Sequence, residues 1–336
     1  MRAPQADEGQ EEAASGVTIR VLITPEARRA ELVADARAGL TGAVKSLPPN
    51  WFYDELGSQL FEEITRLPEY YPTRTESAIL RAHGAQLIEL CRAETLVELG
   101  SGVSEKTRFL LDEMAAAKRL EHFVPLDVSE ETLRGAALEI HEQYGIPVTG
   151  VVGDFRRDLA ELARGPRRLV CFLGGTIGNL MPANRARFLV DLEATMSHDD
   201  WFLLGTDLVK DPARLVAAYD DAAGVTASFN KNVLRVLNRE LGANFDLDAF
   251  QHVATWNEAE RWIEMRLRSL AAQVVEVAEL ETTVQFAEGE EMLTEISAKF
   301  TPAGIATELE AANFVIEASY TDAAGDFLLT LAHPYC

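Results

Sequence analysis

The chain has 336 residues, 47% of them hydrophobic, and its 54 acidic against 31 basic side chains give a formal net charge of −23. That length and composition suit one large or two ordinary soluble domains, and the acidity argues against nucleic acid or an anionic membrane, which need clustered Lys and Arg. Three widely spaced cysteines (Cys91, Cys171, Cys336) and six scattered histidines form neither a disulfide framework nor a metal-ligand spacing, so a reducing, cytoplasmic setting without a metal is expected.

Residues 1–16, rich in Glu, Ala, Gln and Gly with no apolar h-region, are expected to be a disordered acidic tail. No apolar run reaches the length of a membrane span, and no solenoid-type repeat is visible. Thr24-Pro25-Glu26 reads as an N-cap followed by Pro at the first helical position, and Leu32, Val33, Ala36 and Leu40 continue a helix to about Leu40. Lys45 to Asp54 holds two prolines and the aromatic run Trp51-Phe52-Tyr53, too apolar for an exposed loop. Leu56, Leu60, Phe61, Ile64 and Leu67 then mark one helical face that Pro68 ends. Glu69 to Thr75 is a second aromatic connector, with Tyr70 and Tyr71, and a helix is expected from about Thr75 to Arg92. Such tyrosines can simply pack their rings and bond a carbonyl, but two connectors flanking one helix also suit the rim of a pocket.

The centre of the chain is Val97 to Thr107, a buried strand, a glycine turn at Gly100 and Gly102, and a helix expected from Glu105 to Lys118. Lacking Cβ, the two glycines allow a sharp turn and close approach of a ligand to unpaired N–H groups. A dinucleotide fingerprint would place a third glycine where Glu105 stands, and an acidic side chain there disfavours a pyrophosphate. A nucleotide-like cofactor without pyrophosphate, S-adenosylmethionine, fits better. His122 to Asp127 is a second strand whose terminal acid can accept from ribose hydroxyls, and Gly153-Asp154-Phe155, after a strand at about Pro147 to Val152, can offer an acceptor and a ring face to adenine.

Arg168 to Leu173 is apolar throughout, as a central parallel strand should be, and opens into Gly174-Gly-Thr-Ile-Gly-Asn179 at the ligand-binding end of the sheet. Asn179 could orient a substrate, though an Asx turn before the helix at Pro182 accounts for it equally well. With Trp201 to Asp207 the β-α alternation has occurred five times, which gives an α/β fold, Rossmann-like, with a mostly parallel sheet. Helices over Asp211 to Tyr219 and Val225 to Leu241, a short helix at Asp246 to Phe250 and short strands within Arg261 to Phe286 form an insertion. Phe314 to Tyr320 and Phe327 to Ala332 can complete the sheet as an antiparallel hairpin. The expected division is therefore a second, α+β substrate-binding domain of residues 17–74 and 209–299, and a cofactor-binding domain of residues 75–208 and 300–336.

Several long motifs, in order, carry a resemblance: Ser46-Leu-Pro-Pro with Trp51 to Phe61, Leu67-Pro-Glu-Tyr-Tyr-Pro-Thr-Arg-Thr-Glu76, Glu98-Leu-Gly-Ser-Gly102 with Glu105-Lys-Thr107, Gly178-Asn179, and Gly205-Thr-Asp-Leu-Val-Lys-Asp211. Together they resemble the L-histidine Nα-methyltransferases of ergothioneine biosynthesis, over nearly the whole chain beyond the tail. The resemblance implies trimethylation of the α-amino nitrogen of L-histidine to hercynine, using S-adenosylmethionine as methyl donor and no metal, by a monomer. It implies cofactor binding by Gly100, Lys106, Asp127, Asp154 and Phe155. The substrate would be held by Tyr53, Tyr70, Gly174, Asn179 and Tyr219 at its amino-acid head, and by Glu295 and Ser297 at its imidazole, with Met265 shaping the pocket; Tyr53 and Asn179 would be the catalytic pair. Strand alternation alone would also let Glu295 and Ser297 face water. The methylated, cationic amine could rest on the faces of Tyr53 and Phe52. One departure is Gly175, where the family's pattern has serine. Two competing readings are a nicotinamide dehydrogenase, which Glu105 disfavours, and a non-catalytic module that keeps only the cofactor fold.

Overall fold

The structure, a computed structural model, describes residues 10–14, 16–162 and 165–335. Its first strands are β1 (Gln10–Ala14) and β2 (Val17–Val21), followed by α1 (Pro25–Thr41), α2 (Glu55–Arg66), α3 (Tyr71–Cys91), β3 (Thr95–Leu99), α4 (Arg108–Ala116), β4 (His122–Asp127), α5 (Glu130–Tyr144) and β5 (Val148–Val152). Next come β6 (Arg168–Phe172), α6 (Pro182–Glu193), β7 (Trp201–Asp207), α7 (Pro212–Tyr219), α8 (Val225–Leu241), β8 (Phe250–Asn257), β9 (Trp262–Ser269), β10 (Gln273–Val277), β11 (Thr282–Phe286) and β12 (Glu291–Ala298). The chain closes with α9 (Pro302–Ala311), β13 (Phe314–Thr321) and β14 (Phe327–Pro334).

Nine strands form one sheet in the order β1-β2-β5-β4-β3-β6-β7-β14-β13. The run from β2 to β7 is parallel, and β14 and β13 add the antiparallel hairpin. Because a strand turns successive side chains to opposite faces, Leu96 and Val97 enter different cores. Leu96, Leu169, Cys171 and Leu203 pack against α3, α4 and α5, and Val97, Val170, Phe172 and Leu204 against α6 and α9. Both faces are covered, which is why β3 and β6 are buried at every position.

A second core is built by α1, α2, α7 and α8 over the three-stranded sheet β12-β9-β8 and the β10-β11 hairpin. The first connector joins it: Leu47 donates its N–H to the Leu293 carbonyl at 2.8 Å, laying residues 46–47 along β12. Around Gly39 and Gly57 the chain passes itself so closely that an added Cβ would lie within 2 Å of a carbonyl oxygen.

Five expectations differ. Gln10–Ala14 pairs antiparallel with β2, and β2 pairs parallel with β5, so within the region expected as tail these residues are strand, and residues 17–21 belong to the large sheet rather than to the substrate-binding unit. Val17 and Ile19 alternate into the core over too short a span to reveal a strand by pattern; residues 1–9 and 15 lie outside the described residues. Helix α3 starts at Tyr71, because Pro72 stands in the first turn, where its missing N–H costs nothing. The helix after the glycine turn starts at Arg108 rather than Glu105, since Ser104 is left-handed (φ 52°) and adds a turn before it. Finally, Phe250 opens strand β8 instead of ending a helix.

Candidate active site

At the carboxyl ends of β3, β4, β5 and β6 lies a cleft of about 1160 Å³. Gly100, Lys106, Asp127, Asp154 and Phe155 all line it, as do Tyr53, Tyr70, Gly174, Asn179 and Glu295. The glycine turn is fastened to the neighbouring strand: Gly100 N and Ser101 N donate to the Leu126 carbonyl at 2.8 and 3.1 Å, and Gly102 N donates to Asp127 Oδ2 at 2.8 Å. Gly100 and Gly102 have φ of 67° and 49°, a conformation that a side chain makes costly, and nothing lies within 4 Å of where a Gly102 Cβ would be. Asp127 also accepts from Ser129 N at 2.9 Å; burial pushes its carboxyl above the usual range, with those backbone donors pulling the other way. Beneath the turn, burial lifts the Glu98 carboxyl to about 7 even though Thr107 and Ser104, the latter at 2.8 Å, donate to it.

Ser101 Oγ is buried in this wall with no hydrogen-bond partner among the described residues. An unmet polar atom beside an open cradle, an acid at the second strand and a ring at the third together match the needs of a nucleoside with a short polar tail. Asp154 is more committed than expected: both of its oxygens accept from the Arg156 guanidinium, and Oδ1 also takes Arg156 N at 2.8 Å. Lys106 reaches across to the fully buried Glu76, whose two oxygens also accept Gly174 N at 2.9 Å. That clasp sets the turn after β6 against the turn after β3.

Behind the cleft is a smaller pocket of about 50 Å³, and it gathers the remaining residues: Tyr219, Met265 and Ser297 line it together with Tyr53, Tyr70, Gly174, Asn179 and Glu295. Its wall is a chain of rings, with centroids 5.4 Å apart from Phe229 to Tyr53, 5.7 Å from Tyr53 to Phe61, 6.3 Å from Phe61 to Tyr70 and 6.2 Å from Tyr70 to Tyr219. Phe52 does not reach it. Fully buried at the end of the short helical turn at residues 49–52, it packs on Phe229 at 4.8 Å and lines neither space. The aromatic faces expected of Phe52 are supplied by Phe61 and Phe229, which the sequence offers only as ordinary apolar positions of α2 and α8.

The floor comes from β12. A register shift against β9 between Leu293 and Glu295 bulges Thr294 out of the ladder, where its hydroxyl meets Asn230 Oδ1 at 2.6 Å and the Met265 carbonyl at 2.9 Å. Bulges re-aim side chains, and here Glu295, opposite Met265 in the register, turns into the pocket. Its carboxylate makes no hydrogen bond to any described residue, and burial raises it to about 8 although Lys299 pulls it down. Burial, first of all, also holds Tyr53, Tyr70 and Tyr219 well above the ordinary phenol range, with Glu295 adding to it, so all three remain protonated.

Below lies a cluster in which sequence reasoning named Tyr219 and Ser297 but missed their partners. Tyr219 OH and Ser297 Oγ are 2.7 Å apart, and Lys299 Nζ lies 2.8 Å from each and 2.9 Å from Asp207 Oδ2. Asp207 also accepts from Tyr71 OH at 2.7 Å and from Lys210, whose ammonium donates to Tyr71 OH at 2.8 Å. Burial alone would raise Asp207, but Lys299 and Lys210 outweigh it and hold its carboxyl below the usual range. Asp207 and Lys210 do lie in one quoted motif, yet no spacing ties them to Lys299 ninety residues on. Tyr219 is braced from behind as well: its carbonyl takes the His252 Nε2 proton at 2.8 Å, while burial lowers that ring's pKa and keeps it neutral. At the departure noted above, Gly175 adopts φ 69°, which glycine takes more readily than serine.

A model of the "histidine-specific methyltransferase, SAM-dependent" family matches residues 32–334. Histidine N-alpha-methyltransferase of Mycolicibacterium smegmatis is 59% identical over 299 residues, 89% of this chain and 93% of that protein. The protein of the same name from Mycobacterium tuberculosis is 57% identical over the same shares. Ergothioneine biosynthesis protein 1 of Neurospora crassa is 33% identical over 203 residues, 59% of this chain and 23% of that one.

Proposed function

The chain belongs to the histidine-specific, S-adenosylmethionine-dependent methyltransferase family, and from that premise we propose that it trimethylates the α-amino nitrogen of L-histidine to hercynine, the first step of ergothioneine biosynthesis. Membership sets aside the dehydrogenase and the non-catalytic module. The observation that carries the substrate is the unpaired Glu295 carboxylate on the floor of the small pocket, which calls for a side chain with a ring N–H. A ligand without that donor leaves the acid desolvated and unmet, at a cost of about 1–3 kcal/mol or more.

S-adenosylmethionine, when bound, supplies an electrophilic methyl on sulfur. Gly100, Ser101, Gly102, Lys106, Asp127, Asp154 and Phe155 are the residues that would hold it in the cleft. The chain's own work is orientation: Tyr53, Tyr70, Gly174 and Asn179 line both spaces and so stand where an amino-acid head would meet the cofactor. Proximity of this kind is worth on the order of 7–11 kcal/mol at most. The nucleophile must be the neutral amine, and phenols held above their usual range accept no role as phenolate base near neutrality. They receive N–H bonds from the amine while its proton leaves through the open cleft. Tyr53, Phe61 and Phe229 then face the growing cationic charge with ring faces.

We read residues 22–74 and 209–299 as the substrate-binding unit and the rest as the methyltransferase unit, a division supported by the core that the first unit builds for itself, although its Trp262, Ile296 and Ala298 pack into a core of the large sheet. A monomer remains the proposed working form. Cys91 and Cys171 are free thiols, in keeping with a reducing cytoplasm; no described helix is long and apolar enough to cross a membrane. The test is incubation with labelled S-adenosylmethionine and each of the twenty amino acids. Histidine gaining three methyl groups is expected, and no transfer to histidine refutes the reading.

A further inference from the structure

Behind the small pocket, Thr294, Asn230 and His252 form a buried chain of hydrogen bonds that no step described so far uses. Its direction is fixed by the backbone groups it meets, because a carbonyl can only accept. His252 Nε2, 2.8 Å from the Tyr219 carbonyl, therefore carries a proton, and the amide atom of Asn230 that stands 3.1 Å from the Arg266 carbonyl is the nitrogen. The other proton of that nitrogen points at His252 Nδ1, 2.8 Å away, so Nδ1 is bare and accepts it. Asn230 Oδ1 is left to accept the Thr294 hydroxyl at 2.6 Å. Every donor of the three side chains is thus placed, and turning the amide over would set its oxygen against the Arg266 carbonyl. Asp220 Oδ1, 3.9 Å from His252 Nε2, is outside hydrogen-bond reach.

On the histidine reading above, we propose that Asn230 and His252 are positioning residues for the imidazole: they tie the end of α7, which carries Tyr219, to the two strands that carry Met265 and Glu295, and so fix the gap in which the ring is held. Neither lines the small pocket, and both act through residues that do. On the strand side Asn230 holds β9 through the Arg266 carbonyl, next to Met265, and β12 through Thr294, next to Glu295. On the helix side Tyr219 is the last residue of α7, where a carbonyl has no partner within the helix, and His252 supplies one. A buried network with all its donors met has one arrangement, so the gap keeps its width whether or not a ligand is present. The relay needs a side chain at 252 with one N–H and one bare acceptor, which a neutral imidazole has.

The experiment compares His252→Gln with His252→Leu. A glutamine amide offers an acceptor and an N–H, as the neutral ring does, and leucine offers neither. Dissociation constants are measured by calorimetry, for histidine with S-adenosylhomocysteine present and for S-adenosylhomocysteine by itself. His252→Leu is expected to raise histidine Kd by about tenfold or more, with KM rising by a larger factor than kcat falls, while His252→Gln stays within about threefold of the parent. S-adenosylhomocysteine Kd should stay within about twofold in both variants. Equal losses in the two variants, or a loss shared by S-adenosylhomocysteine, would mean a merely structural role and overturn the proposal. Asn230→Leu should likewise raise histidine Kd by about tenfold, and adding His252→Leu to it should change little more, because both cut the same chain; effects that multiply overturn the proposal. Where a variant does not fold, the parent decides: nitrogen NMR of the His252 ring near neutral pH should find the proton on Nε2 and Nδ1 bare, and a proton on Nδ1 overturns the relay. Absence of methyl transfer to histidine by the parent would instead refute the histidine reading, whereas transfer intact with histidine Kd unmoved in His252→Leu refutes only the relay.

Discussion

Glu295 gains its selectivity at the expense of stability. In the empty pocket it titrates at about 8 against an ordinary value of 4.5, with burial the dominant cause. Between those values the folded protein holds a proton that the unfolded chain has given up, so stability falls as pH rises from about 4.5 to about 8 and then levels off. Glu295→Gln cannot ionise. Its melting temperature relative to the parent is expected to climb across that interval, and parallel curves would contradict the assignment; above about pH 8, where Glu295 is ionised, its histidine KM should rise by about 10- to 100-fold, the loss of a hydrogen bond to a charged group, with cofactor affinity unchanged. Asp127→Asn tests the other space. It can no longer satisfy both Gly102 N and Ser129 N, so S-adenosylhomocysteine affinity should fall by about tenfold or more while histidine Kd stays within error. Asp127 was legible as the acid that ends the second strand, and Glu295 through the family resemblance. Lys299 was not, because its meaning depends on three partners distant in sequence or without a recognisable spacing.

Among the elements, the turn Thr176–Asn179 matters most, for it carries Asn179 and packs directly on β12. Gly178 makes this possible: an added Cβ would lie 2.7 Å from the Ala298 carbonyl oxygen and 3.1 Å from its nitrogen, both backbone atoms that cannot swing aside. Gly178→Ala should therefore push the turn away from Glu295 and Ser297, raising histidine KM and lowering stability by about 1–3 kcal/mol, as overpacking does. A kinetic assay with thermal melts checks this, and an unchanged KM would show that the turn tolerates displacement. The elements of the parallel sheet were readable because buried strands and amphipathic helices leave strong periodicities, as β6 and α2 do. Strands β2 and β8 and the bulge at Thr294 were not, since the five residues of β2 are too few to show a pattern, the short helical turn before β8 hides where that strand starts, and a bulge is defined only by its partner strand.

At the scale of the molecule, the two spaces share Tyr53, Tyr70, Gly174, Asn179 and Glu295, so a ligand in either one orders the wall of the other. Histidine and S-adenosylhomocysteine together should raise the melting temperature by more than the sum of their separate effects, and strict additivity would show the wall to be rigid beforehand. The net charge of −23 repels itself, so raising salt from low to physiological strength should also raise the melting temperature; no response would mean that the charges are already far enough apart to ignore one another. The α/β class and the cofactor edge could be read from the residues themselves, whereas the smaller pocket came only with the family resemblance, because residues 53, 219 and 295 lie too far apart in the chain for spacing to join them. The bulge in β12 has a further consequence for descent. A residue inserted before Thr294 can be absorbed by the irregularity already there, but one inserted after it reverses the facing of Glu295, Ser297 and Lys299 at a stroke. Ligand choice in this lineage is thus inherited as a block of alternate residues, which drift can alter one side chain at a time but length variation can only keep or discard whole.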